Sequence, residues 1–499
     1  MVFHDHSWSY RELDALVTQL ANLLIGLDVK PGDRVGIHLV NSPQFVIAYY
    51  GLMRAGAVAV AINPHSTGDD FNFIVVDSGL KVLVTAYNSL PNLKLDLNNT
   101  AGSAVKVLVT DASTPLAPDQ SYPFTETSCL IRLEQVLFKQ STTAPNLVIS
   151  PDAYANLQYT GGTTGRSKGA ILSHRNLVSN TIQIRHWFKN VYNDGEGIFL
   201  CVIPFFHIYG LTTSMNVALF SASTMLLHIK FDLPELMHTI EKYKPNLFMA
   251  VPAMYGAFIM RQEHPDMSSI RACMSGSAPL PLAVQQKFEQ LTGGKLVEGY
   301  GLTEASPVVC CNPIYRTVKN GSIGLPLPDT DIKVVDPQTG HEITKPGEIG
   351  ELLVKGPQVM QGYWQQPEET ALTLQNGWLH TGDLVQLDED GYVYVADRLK
   401  DMIISGGEKI YPREVEELLF KHPAIKEAAV VGVAHSLRGE VPKAIVVLKE
   451  GCAATEKEIK QFCAQHLTKY KVPHDVQFVE ALPRNSVGKI LKRAIKESA

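Results

Sequence analysis

The sequence predicts an α/β protein with a large amino-terminal domain and a small α+β carboxy-terminal domain. Short apolar segments alternate with helical patterns over the first four-fifths of the chain, which is typical of mostly parallel sheets covered by helices. From Gly321 the apolar segments resemble strands of a smaller, barrel-like subdomain, and the last hundred residues repeat helix, strand, strand and helix. At 499 residues the chain also exceeds the size at which a single hydrophobic core stops growing.

The predicted elements of the large domain follow one another in a regular order. Ser9 to Leu24 is predicted to be an amphipathic helix, because Ser9 and Glu12 form a capping-box pattern. The periodicity next predicts a strand over 33–39, a helix over 43–54, and strands over 57–62, 81–85 and 105–110. Residues 112–146 are rich in Pro, Ser, Thr and Asp, which predicts an irregular connection.

The carboxy-terminal third has a different pattern of predicted strands and helices. Apolar patterns predict strands over 331–335, 350–354 and 391–396, then a helix over 413–421, strands over 427–433 and 443–448, and a helix over 455–467. We expect a boundary near residue 398, which divides the chain into a large domain of residues 1–398 and a small mobile domain of residues 399–499.

Composition excludes several classes of function. Apolar content of 45%, with 19% charged residues, is ordinary for a soluble globular protein, and a net charge of −6 argues against nucleic-acid binding. The most apolar stretch, 35–63, is interrupted by Arg54, which predicts at most peripheral membrane contact. Seven cysteines without paired spacing argue against disulfide or zinc frameworks. We therefore expect a cytoplasmic protein, and the sequence leaves its oligomeric state open, a homodimer included.

The most informative segment is the glycine-rich stretch 159–170. Its glycines allow close approach of a ligand to the backbone, its threonines supply hydroxyl groups, and Lys168 supplies a cation. Such a concave set of donors suits a polyphosphate. Because Lys168 follows Ser167 and precedes Gly169, the stretch is not a Walker A loop. Taken alone, it could also be an ordinary flexible loop.

Further segments accompany this loop in a fixed order: Ile203 to His207, Ser275 to Pro279, Glu298 to Glu304, Thr381 to Asp383, Asp397 to Lys400, Ser405 to Pro412, and Pro483 to Lys489. Their order and spacing resemble the adenylate-forming superfamily of acyl-CoA synthetases, adenylation domains and luciferases. Gly161, where many relatives carry serine, is similar to the form in bacterial long-chain fatty-acid–CoA ligases.

The resemblance implies an ATP site that uses Mg²⁺. It implies that residues 160–168 hold the β- and γ-phosphates and that Thr160 and Glu304 bind the metal ion. Gly276 to Pro279 and Glu298 to Tyr300 would form the adenine slot. Asp383, beside Arg398, would accept hydrogen bonds from the ribose hydroxyls. Lys489 would bridge the substrate carboxylate and the α-phosphate. The implied ATP-binding residues are Thr160, Gly161, Gly162, Thr163, Thr164, Gly165, Lys168, Gly276, Ser277, Ala278, Pro279, Glu298, Gly299, Tyr300, Gly301, Leu302, Thr303, Glu304, Asp383, Arg398 and Lys489.

The same resemblance implies sites for the acid and for coenzyme A, the second substrate. His207 would position the acyl carboxylate, and Lys168, His207, Glu304 and Lys489 form the implied catalytic set. The implied acyl-binding residues are Phe206, His207, Tyr209, Leu211 and Gly301, and the implied CoA-binding residues are Gly406, Gly407 and Glu408. Lys400 matches the hinge about which the small domain swings between the two half-reactions.

Each assignment has a structural alternative. Glu304 could be a carboxylate at a helix start, Asp383 could cap a turn, and Lys489 could be a solvated lysine. Each bulky residue near His207 could equally pack in the hydrophobic core. The pair Gly406-Gly407 could also form a tight turn.

Two other functions compete with a fatty-acyl-CoA ligase. One is an adenylating ligase for an aryl acid or for a carrier protein, which a basic patch for CoA phosphates would disfavour. The scattered candidates for that patch are Arg413, Lys443, Lys469 and Lys471. The other is a non-catalytic scaffold that binds nucleotide or acyl chain. It would lack Glu304, Asp383 or Lys489, and the sequence contains all three.

Overall fold

Helices and short strands alternate along most of the chain in the computed structural model, which describes residues 1–66, 68–93, 105–160, 167–484 and 490–498. The described residues form two compact units. The first contains residues 1–160, 167–331 and 355–377, and the second contains residues 332–354 and 378–498.

The first unit contains two large sheets. The first sheet has eight strands, in the spatial order Gly362–Tyr363, Lys168–Ser173, Tyr154–Thr160, Val58–Ala61, Arg34–His38, Val82–Ala86, Lys106–Thr110 and Leu130–Arg132. The second has nine, in the order Leu325–Pro326, Val308–Cys311, Lys295–Gly301, Ala272–Ser275, Leu247–Ala250, Ile198–Cys201, Thr224–Leu227, Val2–Phe3 and His6–Ser7. The inner strand pairs of both sheets are parallel, and the antiparallel pairs lie toward the edges.

Helices cover these sheets. The described helices of the first unit are Tyr10–Gly26, Pro43–Arg54, Gly68–Ser78, Leu133–Leu137, His174–Trp187, Ile208–Gly210, Val217–Phe220, Leu233–Tyr243, Pro252–Ile259, Leu282–Thr292 and Pro367–Thr373. A π-helix spans Leu211–Asn216, 3₁₀ turns span Tyr87–Asn92 and Thr303–Ala305, and a short strand spans Leu374–Gln375. The core of the second sheet is aromatic, with Phe248, Tyr255, Phe258 and Phe288 packed edge to face.

The second unit contains two smaller sheets. The third sheet holds Asp331–Val335, Gly350–Lys355, Trp378–Leu387 and Val393–Arg398. The fourth holds Glu408–Ile410, Ile403–Ser405, Gly439–Leu448, Ile425–His435 and Asp475–Phe478. The helices Pro412–Leu419, Glu456–His466 and Lys492–Ser498 and the 3₁₀ turn Lys469–Lys471 accompany the fourth sheet. Val415, Leu419, Ile459 and Cys463 from two of these helices share its core with Val430 and Val446.

The predicted fold class is confirmed. The first helix begins after Ser9 with the predicted capping box, and the second spans the predicted Pro43–Arg54. The irregular connection over 112–146 is wrong in part, because Leu130–Arg132 adds a parallel strand beside Lys106–Thr110. That pairing is tertiary, and Arg132 lies over the rings of Tyr122 and Phe124.

Two further expectations concern domains and cysteines. The second unit includes residues 378–398 as well as the carboxy-terminal hundred residues, and the boundary of motion near residue 398 stays a prediction. All seven cysteines are free thiols, and Cys310 and Cys311 are buried apolar residues of one strand. None of the described helices has both the length and the apolar content that crossing a bilayer requires.

Candidate active site

The glycine-rich stretch lies between two antiparallel strands of the first sheet, Tyr154–Thr160 and Lys168–Ser173. Thr160 ends one strand and Lys168 begins the next, and the two residues lie directly opposite each other. The Thr160 hydroxyl donates to the Lys168 carbonyl oxygen at 3.4 Å. The predicted ATP-binding residues Gly161, Gly162, Thr163, Thr164 and Gly165 lie outside the described residues, as does Lys489.

A tyrosine that the sequence analysis did not single out joins Lys168 to Glu304. The Tyr363 hydroxyl donates to Glu304 Oε1 at 2.7 Å, and Lys168 Nζ lies 5.2 Å from the centroid of the Tyr363 ring. Burial, with a further contribution from the Glu304 carboxylate, raises the pKa of Tyr363, so its hydroxyl stays protonated and donates. Lys168 Nζ also forms an ion pair with Glu369 Oε1.

Backbone pairing brings this segment to the hairpin. Tyr363 pairs with Ala170 on the strand that begins at Lys168, and the Trp364 amide donates to the Gly169 carbonyl at 2.7 Å. The Met360 amide donates to the Glu304 carbonyl at 2.8 Å. Sequence reasoning missed Tyr363 and Glu369. The signals that could have found them are a Gly-Tyr-Trp triplet and a Pro-Glu-Glu helix start.

The predicted adenine segments come together at the carboxyl ends of two parallel strands. Ser275, which ends one strand, lies opposite Glu298 on the next. In open sheets of this kind, ligands bind beyond the carboxyl ends of strands. The residue pair therefore places Gly276 to Pro279 and Glu298 to Tyr300 side by side, with Gly276 buried and Ser277 to Pro279 exposed.

Two glycines of the predicted ATP-binding segments leave little or no room for a side chain. A Cβ on Gly276 would lie 3.2 Å from Cζ of Tyr209, whose hydroxyl donates to the Met274 carbonyl at 2.7 Å. A Cβ on Gly301 would lie 2.2 Å from the Pro307 carbonyl oxygen. Tyr209 thus contacts both the predicted acyl segment and the predicted adenine segment. The Gly301 backbone packs directly against the Pro307 carbonyl group.

Buried amides hold the loop that carries His207. Gln158 Nε2 donates to the Phe206 carbonyl at 2.8 Å, so the strand that ends at Thr160 is bonded to this loop. The Tyr209 amide donates to His207 Nδ1 at 3.2 Å, which leaves Nε2 to carry the proton of a neutral imidazole. Phe206, Tyr209 and Leu211 are buried, so each packs in the interior whatever its contact with an acyl chain.

In the second unit, Asp383 and Arg398 lie opposite each other on adjacent strands. Arg398 Nε and Asp383 Oδ1 are 3.0 Å apart, and only 6% of the Asp383 side chain is exposed. The Asp383 amide donates to the Thr381 hydroxyl at 3.1 Å. The carboxylate of Asp383 is thus held by the Arg398 guanidinium and oriented by its strand, which suits an acceptor for hydroxyl groups.

The predicted hinge and CoA residues are also in the second unit. Lys400 is exposed between a strand of the third sheet and a strand of the fourth. Gly406 and Gly407, with φ of 60° and 91°, form the two-residue turn between Ser405 and Glu408. The tight-turn interpretation is therefore confirmed, because two successive positive φ angles favour glycine. Glu408 is exposed at the end of this turn.

The oxygen groups of Thr160 and Glu304 fit Mg²⁺. Among the residues that the structure describes, no three His, Cys, Asp or Glu side chains form a cluster that could hold a metal ion alone. Magnesium is commonly bound by one or two carboxylates together with substrate phosphates and water. A half-buried carboxylate that Tyr363 orients, with the ammonium group of Lys168 beside the same tyrosine, matches that mode of binding.

Comparisons with known sequences identify related proteins. The family model of AMP-binding enzymes matches residues 1–364, and the model of their C-terminal domain matches residues 414–489. The chain is 42% identical to a long-chain-fatty-acid–CoA ligase of Bacillus subtilis, over 99% of this chain and 90% of the relative. It is 37% identical to the ligase of the same name from Salmonella typhimurium, over 96% and 88% of the two chains.

Solved structures of similar fold include nucleotide and adenylate complexes. ATP-bound MatB from Rhodopseudomonas palustris has a TM-score of 0.89 and 30% identity, over 99% of this chain and 94% of that chain. The o-succinylbenzoate CoA synthetase of Bacillus subtilis, in complex with its acyl-adenylate, has a TM-score of 0.83 and 29% identity over the same shares.

Proposed function

Because this chain belongs to the family of AMP-binding enzymes, we propose that it is an ATP-dependent ligase that joins a long-chain fatty acid to CoA. The observation that carries the proposal is the arrangement around Tyr363, which holds a carboxylate at 2.7 Å and lies 5.2 Å from a lysine cation. A polyphosphate needs a cation such as the Lys168 ammonium group, and its magnesium ion needs a carboxylate such as that of Glu304, close to each other.

The first half-reaction makes an acyl-adenylate. An oxygen of the fatty-acid carboxylate attacks the α-phosphorus of ATP, the bond from that phosphorus to the bridging oxygen of the β-phosphate breaks, and pyrophosphate leaves. Both reactants are anions, so the chain contributes mostly charge neutralisation and alignment. Lys168 and the loop after Thr160 hold the β- and γ-phosphates. When bound to Thr160 and Glu304, Mg²⁺ neutralises phosphate charge.

Other residues orient the two reactants. Asp383 accepts hydrogen bonds from the ribose hydroxyls, beside Arg398, and Gly276 to Pro279 with Glu298 to Tyr300 form the adenine slot. Neutral His207 presents its Nε2 proton to the acyl carboxylate, since its Nδ1 accepts from the Tyr209 amide. Lys489 bridges that carboxylate and the α-phosphate.

The second half-reaction makes the thioester. The sulfur of CoA attacks the acyl carbonyl carbon, and the bond to AMP breaks. A groove of about 460 Å³ in the second unit supports CoA as the acceptor, since Arg438, Lys469 and His474 contribute to its lining. Lys460 also lines the groove, but it is paired with Glu456. The predicted CoA-binding turn adjoins this groove, because the Gly406 amide donates to the Arg438 carbonyl at 2.8 Å. Of the scattered basic candidates, Lys469 belongs to the groove, whereas Arg413 and Lys471 are paired with Glu417 and Glu414.

The experiment that tests this function is a pyrophosphate-release assay with fatty acids of increasing chain length and with aryl acids, each with and without CoA. We expect turnover to be highest with long-chain fatty acids and to require CoA for release of AMP. Preference for an aryl acid, or transfer to a carrier-protein pantetheine instead of CoA, would support the alternative ligases. Nucleotide binding without pyrophosphate release would support the scaffold.

A further inference from the structure

We propose that Glu369 sets the affinity of the triphosphate site by competing with the bound phosphates for Lys168. The inference rests on the proposed function, because it takes Lys168 as a ligand of the β- and γ-phosphates. It concerns how readily pyrophosphate leaves after the first half-reaction.

The ion pair places an anion where another anion must bind. Glu369 Oε1 contacts Lys168 Nζ, and the two side chains are 38% and 21% exposed. The ammonium group of a lysine is a compact charge with three donors, so it can contact a second anion, but a carboxylate already held against it repels that anion. A phosphate oxygen that takes Lys168 as its partner must therefore displace the Glu369 carboxylate or share the lysine with it.

The backbone keeps Glu369 close to Lys168. Glu369 lies in the first turn of the helix Pro367–Thr373, and the Thr370 hydroxyl of this helix accepts from the Tyr363 amide at 2.8 Å. Tyr363 in turn pairs with Ala170, two residues from Lys168. The carboxylate is thus placed by strand pairing, and it stays near the site when Lys168 turns to a phosphate.

The consequence differs between ATP and its product. Repulsion from Glu369 opposes both ATP and pyrophosphate, but ATP keeps its contacts through adenine and ribose. Pyrophosphate binds only through the phosphate end, so the carboxylate that reclaims Lys168 promotes its release. Since both side chains are partly exposed, water and salt screen the repulsion and the effect is moderate.

The test is the variant Glu369→Gln, studied by isothermal titration calorimetry with magnesium pyrophosphate, ATP and AMP. We expect the variant to bind pyrophosphate and ATP roughly two- to fivefold more tightly than the wild type does, in line with a partly exposed charge pair. The affinity for AMP, which lacks the β- and γ-phosphates, should not change. Glu368→Gln is the matched control, because Glu368 is exposed in the same helical turn and loses the same charge.

Several results would overturn the proposal. Glu369→Gln could leave pyrophosphate affinity unchanged or weaken it, Glu368→Gln could tighten it equally, or AMP could tighten as much as pyrophosphate. Glu369→Ala, with the thermal midpoint of each variant, replaces Glu369→Gln if that variant unfolds. A wild type that binds neither ATP nor pyrophosphate contradicts the proposed function itself, whereas normal wild-type binding with unchanged variants contradicts only the role of Glu369.

Discussion

Tyr363 orients the carboxylate that we assign to the metal ion. Its hydroxyl donates to one oxygen of Glu304, which leaves the second oxygen of that carboxylate for a cation. A carboxylate with one oxygen fixed loses less side-chain entropy when it binds a ligand, so outer hydrogen bonds of this kind raise metal affinity.

The variant Tyr363→Phe tests this role. It removes the bond to Glu304 and keeps the ring beside Lys168, so we expect the Mg²⁺ concentration for half-maximal turnover to rise roughly tenfold, a usual loss for such outer-shell groups. Binding of Mn²⁺ in the presence of ATP, followed by electron paramagnetic resonance, should weaken in parallel.

A control separates this effect from a general loss of stability. Tyr154→Phe changes an exposed tyrosine on the strand that ends at Thr160 and should leave the Mg²⁺ dependence as it is. If Tyr363→Phe lowered the maximal rate at every Mg²⁺ concentration without shifting the half-maximal one, the hydroxyl would not act through the metal ligand.

The same residues show what the sequence could not predict. Thr160, Lys168 and Glu304 stand in segments whose residue types carry a recognisable chemistry. Tyr363 and Glu369 reach the site only because Gly362–Tyr363 pairs with a strand some 190 residues earlier in the chain. No local period or cap reports such a pairing, so single-residue roles that depend on it are invisible before the fold is known.

The turn Gly406-Gly407 combines a structural and a proposed functional role. Both glycines have positive φ, and a Cβ built on either would meet no atom within 4 Å. The turn is therefore exposed with open space beside it, and its backbone conformation alone already explains why glycine is used.

The variant Gly406→Asn separates these two roles. Asn followed by Gly is the preferred sequence of a two-residue hairpin turn with two positive φ angles, so we expect an unchanged thermal midpoint. The added side chain should lower thioester formation from supplied acyl-adenylate by roughly tenfold, comparable to one poorly accommodated group, and leave pyrophosphate release unaffected. Wild-type rates in both half-reactions would mean that the glycine serves the turn alone.

Helices and strands that local sequence patterns define were predicted well. Strands that form only through pairing with a distant strand were not. Pro43–Arg54 matches its prediction because serine, proline and a continuous apolar pattern define it locally. Leu130–Arg132 lies in a segment rich in turn-forming residues, and it becomes a strand through pairing with Lys106–Thr110. Tertiary pairing there overrides local preference.

The second unit contains the parts that a change of conformation would need. Residues 399–402 connect Val393–Arg398 of the third sheet to Ile403–Ser405 of the fourth. Across this connection, Asp397 Oδ2 accepts from the Arg413 amide at 2.8 Å. Burial raises the pKa of Asp397, and the bond to Arg413 is one that rotation about Lys400 would have to break.

The two half-reactions require different groups at the same position, and a rotation of this kind would exchange them. In the proposed function, adenylation needs Lys489 at the α-phosphate, whereas thioester formation needs that space for the thiol. Lys400→Pro fixes φ at the proposed hinge, so we expect the variant to favour one of the two arrangements and to retain only one half-reaction. Overall turnover should fall roughly a hundredfold, because the change of conformation becomes rate-limiting. Pyrophosphate release and thioester formation from supplied acyl-adenylate are measured separately. The control Lys400→Ala removes the same side chain without fixing φ, and it should turn over like the wild type. If Lys400→Pro lost both half-reactions equally, or lost neither of them, the hinge would lie elsewhere.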